Sequence, residues 1–247
     1  MIPAILLALA APAAHAANIE QHLTWAITLD GTSIGKRDLT LKWAFEDDGR
    51  ARRFLEVWTE LDATVLGLDY SVRQRITGQA SVGPAAFAAV TQFQADTTEV
   101  QGRLEGTEWM LSVATNGREW HKDLPRNSID LSTLDLLDPE SRVGFESKQV
   151  ARVLASETGD ILEGEVKPIG QGKIEITGTE VPVAGFAWTP DEGEMRLWFS
   201  AEGYLVRYET NVMGRWIVGT LTAPPPKGTD DAPIVEQGAG SVTEVPL

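Results

Sequence analysis

Cysteine is absent from the 247 residues of this sequence. The chain therefore has no disulfide, no thiolate-ligated zinc, no cysteine nucleophile and no lipid-modified cysteine. Histidine is nearly as scarce, with three residues, and tetrahedral zinc sites draw mainly on histidine and cysteine. Glycine-rich nucleotide loops and His-Glu-x-x-His are also missing. We expect no cofactor and no metal.

Basic side chains are in the minority, with 21 Lys and Arg against 36 Asp and Glu and a formal net charge of −15. A field of this sign repels phosphate backbones and anionic lipid surfaces. The composition therefore excludes nucleic acid as an expected partner.

Long apolar runs are lacking as well. The longest, Ile5–Ala11, is far shorter than the roughly 20 residues of a membrane-spanning helix, and it is followed by Ala14-His15-Ala16. A short apolar stretch before an Ala-x-Ala motif is typical of a secretory signal peptide. We expect cleavage before Ala17, an exported protein in the periplasm or outside the cell, and no transmembrane segment.

What the sequence does have is alternation of apolar and polar residues, as in Met195–Ser200, with glycine-bearing turns between the alternating stretches. This period of two predicts antiparallel β-hairpins. Only one short helix is expected, Thr133–Leu137, capped by Ser132 and stopped by Pro139. We predict an all-β protein with this organisation: signal peptide 1–16; antiparallel β domain 17–223 with halves at about 22–120 and 143–223 and a connector at 121–142; flexible tail 224–247.

The connector contains the only candidates for catalysis. His121 is the one histidine in mid-domain. With Ser128 or Ser132 and with Asp130 or Asp135 it would supply the residue types of a hydrolytic triad, which is defined by geometry rather than by sequence order. The alternative, which we favour, is that these are solvated connector residues. The acids also lack the spacing of a calcium-binding loop.

Tryptophan is the more informative residue, with eight copies. Trp25 and Trp43 share strand faces with aliphatic residues and are expected in the core. Trp58 lies on a face with Glu56, and Trp198 alternates with arginine and serine. Aromatics among polar neighbours can line a binding cleft, so Trp58 and Trp198 are candidate ligand-binding residues. The alternative is that they cover the sheet surface.

Two stretches resemble a known group of sequences. Trp25–Gly35 contains Asp-Gly-x-x-Ile-Gly, and Gly193–Glu209 contains Leu-Trp-x-x-x-x-Gly-x-Leu-Val-Arg. Both are similar to hairpins of bacterial exported β-sheet proteins of unknown function, some of which precede transglutaminase-like domains. The resemblance implies a large sheet curled into an open or partly closed barrel. Lipoprotein-carrier half-barrels are a further comparison, although helices line those and are scarce here.

These observations favour a non-enzymatic envelope module that binds an apolar or peptide-like ligand or an envelope protein. A periplasmic hydrolase acting through the connector and an accessory protein to an envelope enzyme are the alternatives.

Overall fold

The computed structural model describes residues 19–45, 51–65, 67–81, 83–140, 145–191, 193–212 and 214–226. Apart from a 3-10 turn at Arg126–Ser128 and helical residues 145–146, the regular structure in these ranges is β. The strands are β1 (Ile19–Leu29), β2 (Thr32–Phe45), β3 (Ala51–Val65), β4 (Leu68–Ser81), β5 (Gly83–Phe93), β6 (Asp96–Glu105), β7 (Glu108–Thr115), β8 (Arg118–Pro125), β9 (Leu131–Ser132), β10 (Val150–Leu154), β11 (Ile161–Ile176), β12 (Thr179–Pro190), β13 (Met195–Ser200), β14 (Leu205–Val212) and β15 (Arg215–Leu221).

All fifteen strands form one sheet in the order β8-β7-β6-β5-β4-β3-β2-β1-β15-β14-β13-β12-β11-β10-β9. Each half is a meander of antiparallel neighbours, and among the described residues only β9 and β10 pair in parallel. The first and last strands pair with each other in the middle of the sheet, for example Ile27 with Gly219. The predicted large, mostly antiparallel sheet is confirmed.

The link between the two edge strands makes this sheet curl. β8 ends at Pro125 and β9 begins at Leu131, and the few residues between them reach about 20 Å at most. In a flat sheet of fifteen strands the edges would lie about 65 Å apart, given the usual spacing between strands. The edges must therefore approach each other. They do not pair among the described residues, so the barrel stays open, as expected.

Tight turns of the predicted kind connect the strands. Asp30 and Gly31 between β1 and β2 have φ of 47° and 83°. Thr177 and Gly178 between β11 and β12 have φ of 45° and 81°. Positive φ at both positions defines the primed turn that suits twisted strands. The sequence also predicts a turn of this kind at Asp47-Asp48-Gly49. That stretch lies outside the described residues, as do the signal peptide and residues 227–247 of the tail.

Alternation sets one face of the sheet toward the core. In β1 the residues Leu23, Trp25, Ile27 and Leu29 are buried, and those between them are more exposed. Both halves contribute to a single apolar cluster on this inner face. Its largest fully buried side chains are Trp25, Trp188, Phe145 and Phe199.

The described parts of the segment between the two halves, 126–140 and 145–149, cover part of this inner face. A Cβ added to Gly78 of β4 would lie 2.6 Å from Leu134 Cδ1, so the absent side chain makes room for the leucine. Further along, the Phe145 ring meets Phe186 of β12 edge to face at 6.4 Å. The segment thus contacts strands of both halves.

Two close backbone approaches hold the neighbouring loops in place. A Cβ on Gly203, in the β13–β14 turn, would lie 2.3 Å from the Pro139 carbonyl oxygen. A Cβ on Gly159, after β10, would lie 2.7 Å from Val113 and 3.8 Å from Trp120. The β10–β11 turn therefore rests against β7 and β8, near the open edge.

A buried ion pair ties the same segment to β3. Arg53 Nη1 lies 3.0 Å from Asp138 Oδ2 and 2.6 Å from Glu140 Oε2. The Asp138 side chain is only 1% exposed, and a carboxylate at such a depth requires a partner.

The connector differs from the prediction in two ways. Residues 118–125 are strand β8, so the connector begins at Arg126 and runs to residue 149 rather than from 121 to 142. Residues 133–137 form consecutive turns instead of the expected helix. Ser132 and Asp135 do exchange hydrogen bonds as in a helix cap, but Pro139 and the burial of Leu134, Leu136 and Leu137 prevent a second helical turn.

We expect Gly203→Ala to destabilise the fold more than Gly214→Ala. Both glycines have positive φ, at 95° and 79°, so alanine adds the same strain of about 1 kcal/mol at each. The two differ in their surroundings. A Cβ on Gly203 would lie 2.3 Å from the Pro139 carbonyl oxygen, whereas a Cβ on Gly214 would have no atom within 4 Å. Urea unfolding should show a further loss of about 1–3 kcal/mol for Gly203→Ala. Equal losses would contradict the packing of the β13–β14 turn on Pro139.

Candidate functional site

The three candidate catalytic residues engage separate partners. His121 is exposed on β8, and its Nε2 lies 3.6 Å from Glu119. Asp130 is bound by Lys148 and Arg152. Asp135 accepts hydrogen bonds from the Ser132 amide at 2.6 Å and hydroxyl at 2.9 Å. Among the described residues, no hydrogen bond or ion pair joins His121 to either acid.

Asp130 has a structural role. Its burial raises the pKa of the carboxyl, but hydrogen bonds from the Arg152 amide and guanidinium and from the Lys148 ammonium outweigh that effect and lower it from 3.8 to about 2. Since Lys148 precedes β10 and Arg152 lies within it, the carboxylate fastens the start of the connector to β10.

Asp135 lies in a different environment. Burial raises the pKa of its carboxyl, and the hydrogen bonds from Ser132 offset this only in part. Together with Ser132 and Leu134 it lines a pocket of about 20 Å³ between the connector and the inner faces of β3, β4, β5 and β7. That is room for about one water molecule. The pocket is too small for an organic ligand.

Trp58 lies on the outer face of β3, opposite the buried Leu55 and Val57. It is 44% exposed. Its indole donates a 3.3 Å hydrogen bond to Glu56, and the Arg75 guanidinium lies 5.5 Å from the ring centroid. Its contacts are thus with charged residues of the outer surface.

Trp198 lies on β13 between the buried Leu197 and Phe199 and is half-buried on the opposite face. A Cβ on Gly185 of β12 would lie 2.8 Å from its Nε1, so the indole occupies the space that a side chain at position 185 would need. Arg207 is 5.9 Å from the ring centroid. Neither Trp198 nor Trp58 lines the small inner pocket or the groove described next, and their predicted role in ligand binding stays a prediction.

An open groove lies where β3, β4 and the β5–β6 turn meet at one end of the sheet. Its volume is about 500 Å³, within the range of about 300–1,000 Å³ typical of ligand sites. The lining residues are Asp62, Ala63, Thr64, Asp69, Tyr70, Ser71 and Gln94. None of these was predicted as a site residue, because only the hairpin pairing brings 62–71 and 94 together.

The groove walls are ordered by their own hydrogen bonds. The Arg73 guanidinium donates to Asp62 Oδ2 at 2.7 Å, and the Thr64 hydroxyl donates to Asp69 Oδ1 at 2.7 Å. The Gln94 amide nitrogen donates to the Asp69 carbonyl at 3.2 Å. The polar groups of the groove are therefore held in place by one another.

The edge strand β8 is the second notable surface. Among the described residues it pairs with β7 alone, and all of its residues except Leu124 are exposed. Trp120, on the same face as the buried Val113, is 41% exposed. The free edge of such a strand presents a row of backbone donors and acceptors.

The hydrogen-bond register between β7 and β8 determines which backbone groups of β8 point away from β7. The Arg126 amide donates to the Thr107 carbonyl at 2.8 Å, one step beyond the last β7–β8 pair, Glu108 with Pro125. Hydrogen-bonded and non-hydrogen-bonded pairs alternate along an antiparallel ladder. Every second residue of β8 therefore turns its backbone groups away from β7: Glu119, His121, Asp123 and Pro125.

In the described ranges, no three histidine or acidic side chains are arranged to hold a metal ion. Those ranges also contain no helix with the length and apolar character needed to cross a membrane.

One solved structure relates this geometry to a known protein. The chain is similar to a β-barrel-like protein of the domain of unknown function DUF1849 from Brucella abortus, with 12% identity and a TM-score of 0.56 over 82% of this chain and 95% of that one. No family model matches the sequence, and a comparison with curated proteins found no match. At this identity the likeness shows a β-barrel-like fold, as the sequence resemblance implied.

We expect Asp130→Asn to remove a pH-dependent part of the stability. The folded-state pKa lies below the ordinary one, so the contribution is complete above about pH 4 and is lost as the pH falls from 3.8 to about 2. It amounts to about 2 kcal/mol. The free energy of unfolding, measured with urea, should change less between pH 6 and pH 2 for the variant than for the wild type. An unchanged difference would contradict the anchoring role of Asp130.

Proposed function

We propose that this chain is an exported, non-enzymatic module that binds a partner protein along the open edge of its sheet. The observation that supports this most is β8. It is an eight-residue strand with neighbours on one side only, and its outward backbone groups are those of Glu119, His121 and Asp123. An extended segment of the partner would add one strand there, in the manner of β-augmentation.

The filled inner face favours a protein partner over an enclosed small ligand. Phe145 and Leu134 of the connector occupy the inner side, and the pocket beside Leu134 has a volume of about 20 Å³. An apolar ligand inside the sheet would have to displace these side chains from a close-packed core.

The side chains of β8 would make the pairing selective. Glu119, Lys122 and Asp123 carry charges of both signs, and Pro125 closes the strand at its end. Charges and proline on an edge discourage indiscriminate sheet pairing. Trp120 sits at the margin of the core, so an apolar residue of the added strand would pack against it. We therefore expect a partner segment of alternating apolar and charged residues.

Two sequence features support the remaining parts of the proposal. The apolar run and Ala14-His15-Ala16 favour export. The three catalytic candidates have separate partners, which disfavours the connector hydrolase. An envelope enzyme that this chain assists would be one kind of partner.

The variant His121→Pro tests the edge. Proline removes a backbone N–H that points away from β7, so it blocks strand addition while the β7–β8 ladder keeps its hydrogen bonds. His121→Ala is the matched control, because it removes the imidazole and keeps the N–H. With a photo-crosslinking residue at position 119 in the native host, we expect a protein adduct for the wild type and His121→Ala. His121→Pro should reduce it at least tenfold, with thermal unfolding within a few degrees of wild type.

Several outcomes would contradict the proposal. One is equal adduct formation by all three proteins, and another is no adduct at position 119. An adduct consisting of two copies of this chain would replace the partner protein with self-association. Purified protein that begins at Met1 instead of Ala17 would contradict export.

A further inference from the structure

We propose that the partner strand added to β8 carries acidic and apolar side chains on the face that continues the inner face of the sheet, and basic side chains on its other face. The inference rests on the proposed function, because it gives the chemistry of the segment that binds the β8 edge.

The two faces of β8 carry opposite charges. Its register with β7 places Arg118, Trp120 and Lys122 on the inner face. Glu119 and Asp123 lie on the outer face, because neighbouring residues of a strand point to opposite sides. Basic side chains and a tryptophan therefore follow one face of this edge, and acidic side chains follow the other.

The basic side chains of this edge have no acidic partner. Most lysines and arginines in the described ranges lie within 4 Å of a carboxylate, as Arg73 and Arg215 do. Among the described residues, no carboxylate lies at this distance from Arg118, Lys122 or Arg126, the residue that follows β8. In the whole chain acids outnumber bases by 36 to 21. Most of the unmatched positive charge of the described surface thus lies at the β8 edge.

The acids of the nearest loop do not fill this role. The β10–β11 turn approaches the edge at Gly159, beside Trp120, and carries Glu157 and Asp160. Glu157 accepts a 2.8 Å hydrogen bond from the Thr133 hydroxyl, and no ion pair joins Asp160 to β8 in the part of the chain that the structure describes. The cations of the inner row therefore remain available to an acid of another chain.

An added strand would approach this inner row closely. The backbone groups that point away from β7 belong to the outer-face residues of β8, so an antiparallel strand would bond to those. Arg118, Trp120 and Lys122 would then form the non-hydrogen-bonded pairs, in which the Cα atoms are about 4.5 Å apart and the side chains are closer. Opposite charges across such a pair are stabilising. We therefore expect acids opposite Arg118 and Lys122 and an apolar residue opposite Trp120.

The same charges disfavour a second copy of this chain as the occupant. Two β8 strands paired antiparallel through His121 would place Glu119 of each copy opposite Asp123 of the other. They would also bring Arg118 and Lys122 of both copies onto one face. Like charges directly across a strand pair are destabilising, so a strand of complementary charge fits this edge better than β8 itself.

Two labelled peptides of identical composition test the charge pattern. Val-Lys-Glu-Thr-Val-Lys-Glu has its acids on one strand face and its bases on the other, whereas Val-Lys-Glu-Thr-Val-Glu-Lys has one of each on both faces. Fluorescence anisotropy with the purified mature chain at low ionic strength should show about tenfold tighter binding of the first peptide.

A double charge reversal identifies the side chains responsible. Arg118→Glu/Lys122→Glu makes both faces of β8 acidic, so the preference for the first peptide should fall to less than about twofold. Lys167→Glu/Lys173→Glu is the matched control, because it changes the net charge equally at exposed positions of β11. This control should keep the preference.

The proposal is overturned if the wild type binds both peptides equally or neither, or if the β8 double variant keeps the preference. Equal binding that His121→Pro abolishes would overturn the charge pattern alone and leave the β8 edge as a pairing site. Binding that His121→Pro does not change would contradict strand addition, and the proposed function with it. A dimer in sedimentation that His121→Pro dissociates would assign the edge to a second copy and overturn the proposal too.

Discussion

A single sheet with one apolar face must find a cover for that face, and here the chain supplies its own. The connection from β8 to β9 is too short for the edges to be far apart, so the sheet curls. The same connector then continues over the inner face, where Leu134 packs on Gly78 and Asp138 pairs with Arg53. Curling and covering are thus consequences of one segment, and the inner face has little room for anything else.

The outer face is protected in a different way. No second layer covers it among the described residues, and arginines lie over its aromatic rings instead: Arg75 over Trp58, Arg207 over Trp198 and Arg196 over Trp216. Such stacks shield the ring and keep the surface charged. They agree with the alternative that these tryptophans cover the sheet surface. Binding surfaces are then to be sought where the sheet ends: at its open edge and at its rims.

Much of the sheet could be predicted from local patterns. The alternation in β1 and β13 and the Asp30-Gly31 turn identify hairpins, because both follow from the two-residue period and from the tolerance of glycine for positive φ. The pairing of β1 with β15 could not be predicted, because nothing local in Ile27 or Gly219 names its partner. The cap at Ser132 was predictable, but the helix after it does not form, because Leu134, Leu136 and Leu137 are buried against the sheet.

The β8 edge and the groove were missed for related reasons. Arg118–Pro125 does not alternate, since an edge strand beside a gap is solvated on both faces, and the segment therefore resembles a loop. The groove depends on Asp69 and Gln94, which are distant in sequence and meet only because the hairpin pairing brings the Gln94 amide side chain to the Asp69 carbonyl. Pro125 was the one available signal for β8, because proline in a strand belongs at an outward position of an edge.

The most direct test of the covered inner face is an NMR experiment on selectively methyl-labelled protein. If the connector lies on the inner face, the Leu134 methyls should give a strong nuclear Overhauser effect to the Gly78 α-protons, which are far from it in sequence. If the Leu134 methyls show contacts only to sequence neighbours or to solvent, the connector does not cover the sheet and the account is wrong.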